Sequence, residues 1–119
     1  MSGFTVQPLH AMTWTRNSLG AEVTRLYTKG AVLSVIRGQA GDLVPAHGYT
    51  HGSVTYVVSG AIEIDGNVLR PGDAGTYQAN SGFFSVKFLE DSIYVVARNA
   101  EDELTVPDSG EMAAAHLDA

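Results

Sequence analysis

Apolar positions recur along this chain in short runs, several of them alternating with polar ones, and turn residues break the runs apart. The clearest runs are residues 31–37 (AVLSVIR) and 53–59 (SVTYVVS), β-branched and apolar, closed by the turn cluster at 38–41 and by Gly60. Residues 61–65 set Ile62 and Ile64 against Glu63 and Asp65, the period-two pattern of a half-buried strand. Asp65-Gly66-Asn67 then predicts a hairpin, because glycine and asparagine tolerate the positive φ of a tight turn. Val68 and Leu69 resume the partner strand. Pro71-Gly72 fits a type II turn, with proline fixing one φ and glycine supplying the other.

Further strands are predicted at 75–77, 83–89 (FFSVKFL) and 93–97 (IYVVA), with a weaker alternation over 21–28. Thr13-Trp14-Thr15 is compatible with one more short β segment. The last twenty residues turn acidic and then alanine-rich. There EMAAAHLD reads either as a short helix capped from Ser109 or as a frayed end. Eight or so short strands broken by glycine and proline predict an all-β sandwich or barrel.

Composition narrows the function. The 119 residues make one domain, with a barrel core at about 21–98, an N-terminal arm at 1–20 and a tail at 99–119. Thirteen acidic side chains against seven basic ones give a net charge of −6, which argues against nucleic acid or an anionic membrane as partner. No cysteine is present, so disulfides, thiolate metal sites and cysteine nucleophiles are excluded. The first residues carry no basic n-region followed by an apolar run, and no stretch is long enough to span a bilayer. A cytoplasmic location is the expectation.

Candidate chemistry centres on residues 41–60, GDLVPAHGYTHGSVTYVVSG, which hold two of the four histidines. Gly41, His47, the Ser53–Gly60 run and then Pro71-Gly72-Asp73 resemble the two motifs of the cupin superfamily. That resemblance implies a small jelly-roll barrel, a double-stranded β-helix. In metal-binding cupins the first motif supplies two histidines and a glutamate, and the second a further histidine. Laid on this sequence, those positions fall on His47, Tyr49, Ser53 and at or near Phe83. Only His47 keeps the expected residue type, and Phe83 would make the cavity floor apolar.

His51 is an additional histidine. On a straight strand its Cα would lie about 13 Å from that of His47 at ~3.3 Å per residue, too far for two side chains to share a metal with ordinary bond lengths. A bend over residues 49–52 would bring them together, with Tyr49, Glu22, Glu63 or Tyr77 as a further ligand. The expected metal pair is therefore His47 and His51, holding a divalent transition metal (iron, zinc, nickel, copper or manganese). Reaction types implied by the resemblance are dioxygenase, lyase, decarboxylase and isomerase. A metal-free reading takes His47 or His51 as general base and Tyr49 or Tyr77 as acid, since histidine titrates near neutrality. The other readings are a non-catalytic barrel that binds or senses a small molecule, and a purely structural one. The resemblance also implies a homodimer, with Phe4, Met12 and Trp14 suited to the contact.

Overall fold

The computed structural model describes residues 3–107; the helix expected after Ser109 lies outside them. The described residues form a 3-10 turn at Leu9–Ala11 and eleven strands. These are β1 (Thr15–Arg16), β2 (Glu22–Tyr27), β3 (Ala31–Gly38), β4 (Leu43–Tyr49), β5 (Ser53–Ser59) and β6 (Ile62–Ile64). They continue with β7 (Asn67–Leu69), β8 (Ala74–Tyr77), β9 (Phe84–Phe88), β10 (Ser92–Asn99) and β11 (Leu104–Thr105). Two antiparallel sheets face each other, in the orders β1-β2-β3-β10-β5-β8 and β11-β4-β9-β6-β7. Neighbours in space are mostly distant in sequence, so the chain passes back and forth between the sheets as a jelly roll does.

The register explains the core. Val23, Ile36, Tyr94 and Val57 are successive cross-strand partners on β2, β3, β10 and β5, and all four are buried. Val44, Ile62, Val86 and Phe88 of the other sheet complete the same cluster. Each buried aliphatic or aromatic side chain contributes about 1.5–3 kcal/mol of burial free energy. The β6–β7 hairpin stands where the sequence predicts it, but its positive φ values, 50° and 79°, fall on Asp65 and Gly66, and Asn67 already belongs to β7.

One boundary differs from expectation. The barrel does not end near residue 98: Leu104 and Thr105 pair with Tyr49 and Gly48 and extend the second sheet. That strand is short and sits in an acidic context, which hides it from a periodicity search. Trp14 is half-buried within its own chain, where the Arg37 guanidinium lies 4.0 Å from its ring centre. No helix among the described residues is long and apolar enough to cross a membrane.

Candidate functional site

The interior of the barrel is set by an irregularity in β4. Val44 pairs with Val86 and His47 pairs with Phe84, so two residues of β4 stand opposite one of β9. This bulge, placed at Pro45-Ala46, reverses the side-chain alternation and lets Val44, His47 and Tyr49 all be buried. The Pro45 carbonyl then accepts a hydrogen bond from the His47 ring at 2.7 Å. A carbonyl can only accept, so Nδ1 carries the proton and Nε2 keeps its lone pair.

Around His47 the donors a metal would need are replaced by rings. The Phe84 ring lies 4.5 Å from the imidazole, and Tyr49 meets it edge-on at 5.5 Å. Tyr77 packs on Phe84 at 5.1 Å and gives its hydroxyl proton to the Gly82 carbonyl. Burial holds the His47 ring below its ordinary pKa, and the Pro45 hydrogen bond only partly opposes this. Burial also pushes the Tyr49 phenol up to about 12, with the Arg98 guanidinium pulling the other way. Tyr94 is driven up for the same reason. These phenols are neutral donors at physiological pH.

His47, Tyr49 and Tyr77 are brought together in one ring cluster, but His51 is not part of it. It sits in the turn between β4 and β5 with 47% of its side chain exposed. There Nδ1 is 3.0 Å from the Thr50 hydroxyl and 3.6 Å from the carboxylate of Asp102. The bend expected between the histidines exists, yet it carries His51 out of the barrel. The apolar replacement also falls one residue later than read: Phe83 is 47% exposed, and Phe84 is the cross-strand partner of His47.

A divalent transition metal does not fit this donor set. His47 is the one imidazole in the ring cluster, and Tyr49 resists ionisation. Among the described residues no three histidine, aspartate or glutamate side chains converge as a ligand set. The space left beside His47, walled by Ile36, Tyr49, Thr55, Phe84 and Tyr94, is about 20 Å³, enough for roughly one water molecule.

Open volume lies on the other side of Phe84 and Tyr77. A cleft of about 420 Å³ runs between the β6–β7 hairpin and β8, with Thr55, Tyr77 and Phe84 among its walls. Residue 75, cross-strand from Thr55, is a glycine and lines the cleft without a side chain. A Cβ there would meet only Leu69 at 3.8 Å, so the hollow is empty space rather than a close approach. Asp65 and Asp73 line it, and no lysine, arginine or histidine does. The sequence reading missed this cleft, because a glycine inside a strand signals an omitted side chain without saying what occupies the space.

Solved structures share this fold. An acetylacetone dioxygenase from Acinetobacter johnsonii superposes with a TM-score of 0.71 at 12% identity, covering 96% of this chain and 84% of its own. A sugar phosphate isomerase of the cupin superfamily from Silicibacter pomeroyi gives 0.74 at 16% identity, covering 91% and 85%. This chain has the cupin fold. A third cupin-fold match is to the crystal structure of Rhodobacter sphaeroides SigE in complex with the anti-sigma ChrR. Its TM-score is 0.67 at 22% identity, covering 76% of this chain, which spans about half (51%) of the matched one. No protein-family model and no curated protein matches the sequence.

Proposed function

We propose that this cupin barrel binds a small organic molecule in the cleft between the β6–β7 hairpin and β8, without a metal and without catalysing a reaction. One observation carries the reading: the interior around His47 is closed by Phe84, Tyr49 and Tyr94, while the adjoining cleft has the volume of a ligand site. Aromatic walls with a few convergent polar groups are the usual make-up of such sites. The matched structures carry dioxygenase, isomerase and sigma-factor-complex names, so one barrel serves several ends and the local residues must decide.

A fragment library screened by thermal shift and by amide NMR tests this. Binders are expected to move the resonances of residues 67–77. They should be lost in Gly75→Leu, which fills the hollow, and kept in His47→Ala. Binding that survives Gly75→Leu and disappears in His47→Ala would return the site to the interior and overturn the reading.

We also propose that two copies pair through the N-terminal arm. Phe4 and Val6 are 82% and 72% exposed, and residues 3–14 carry no acidic or basic side chain apart from His10. The outward face of β5, with Val54, Tyr56 and Val58 each nearly half exposed, is equally uncharged. In a chain of net charge −6 these are the surfaces on which like-charged copies meet at least repulsion. Removing residues 1–12 leaves Trp14 and β1 in place. It is expected to lower the mass measured by light scattering to that of a monomer; an unchanged dimer would refute the arm as the contact.

A further inference from the structure

We infer that the molecule taken by the cleft is an organic cation, an amine or quaternary ammonium on a small apolar body. This rests on the cleft being the ligand site, and it adds the chemical class. Asp65 and Asp73 stand at the ends of the two turns that frame the cleft, and no basic side chain lines it. The nearest arginine in sequence, Arg70, is engaged outward, 4.0 Å from the Glu90 carboxylate. A carboxylate or phosphate ligand would therefore enter a field of its own sign.

Between the two aspartates the walls are the rings of Tyr77 and Phe84, whose centres are 5.1 Å apart. Aromatic faces attract an ammonium through their quadrupole while still accepting its methyl groups as apolar surface. Neutral polar side chains at Thr55 and Asn67 complete the lining without adding positive charge.

Three probes of nearly equal shape separate charge from fit: choline, its neutral carbon isostere 3,3-dimethylbutan-1-ol, and 3,3-dimethylbutanoate. Each is titrated into the full chain while the backbone amides of Asn67, Gly75 and Thr76 are followed by NMR. Choline is expected to move these amides and to bind about tenfold more tightly than the alcohol, with affinity falling as salt rises. Asp65→Asn and Asp73→Asn should each weaken choline about fivefold and leave the alcohol unchanged. Both variants preserve the turns. Asparagine adopts the positive φ of position 65 readily, and at 73 it keeps an acceptor for the Arg70 N–H. Equal or tighter binding of the alcohol or the acid at the same amides would overturn the cation and leave the cleft standing. If neither these probes nor any library compound moves those amides, the cleft itself fails as a ligand site.

Discussion

Gly60 and Ser92 approach so closely that residue 60 can carry no side chain. A Cβ built there would lie 2.7 Å from Ser92 Cα and would overlap both the Ser92 hydroxyl and the Asp91 carbonyl oxygen. The buried Ser92 hydroxyl accepts the Ala61 N–H at 2.9 Å and is 2.7 Å from the Glu90 carbonyl, stitching the β5–β6 corner to the start of β10. Gly60 is also at φ 80°. Gly66 shares that backbone conformation, at φ 79°, but has nothing within 4 Å. Gly66→Ala should therefore cost only the left-handed penalty of about 1–2 kcal/mol. Gly60→Ala should cost at least about 2 kcal/mol more, read as a difference in urea midpoints. Equal losses would mean the Ser92 contact is slack.

The buried imidazole makes stability pH-dependent in a defined direction. His47 titrates below its ordinary value in the folded chain because burial disfavours the cation. Between the unfolded value near 6.5 and the lower folded one, the unfolded chain binds the extra proton. Stability is then complete above about pH 6.5 and is lost as pH falls through that window, at no more than about 1.4 kcal/mol per pH unit for one group. His47→Gln should flatten this part of the profile. Urea unfolding of both proteins at pH 7.5 and 5.5 checks it, and parallel profiles would show that His47 is not the group responsible.

Asp102 ties β11 to the β4–β5 turn. Its fully buried carboxylate accepts the Thr50 hydroxyl at 3.1 Å and the backbone N–H groups of His51 and Glu103 at 2.7 and 3.1 Å, all on one oxygen. Asp102→Ala leaves these donors without that acceptor and should destabilise by about 2–4 kcal/mol. It should also speed amide exchange at His51. Asp102→Asn retains an oxygen and should lose clearly less; equal losses in the two variants would mean that the charge, and not the acceptor, is what matters.

Two spacings in the ring cluster are those of metal ligands, while the Tyr49 and Phe84 centres stand wider, at 6.3 Å. The centres of Tyr49 and Phe84 are 5.5 and 4.5 Å from that of His47, and imidazoles sharing one zinc stand roughly 5 Å apart. Tyr49→His with Phe84→His should therefore create zinc or nickel binding measurable by calorimetry, and the further variant His47→Ala should abolish it. A double variant that folds and binds neither metal would show that these side chains do not converge on one point.

How much of this was legible in the sequence follows from what each signal can carry. The strands at 31–37 and 53–59 are local facts of β-branched residues and turns, and they stand where expected. The motif spacing reaches His47 and Tyr49; Tyr77 carries no spacing signal and joins them only through the pairing of β8 with β5. Which phenylalanine faces His47 was not, because adjacent residues on a strand face opposite ways and a one-residue slip exchanges them. His51 reads like a ligand by residue type alone; its outward course depends on how the chain turns after Tyr49. Asp102 reads as part of an acidic tail, and only the pairing of β11 with β4 buries it.

The lining of the cleft comes almost wholly from one continuous stretch, residues 64–77, joined by Thr55 and Phe84. The same stretch also serves the core, where Leu69 is buried and Ile64 and Tyr77 pack against the cluster. A substitution that reshapes the cleft from this side is therefore felt by the fold as well, and only the positions turned away from the core, such as Asn67 and Thr76, can vary at little cost to the barrel.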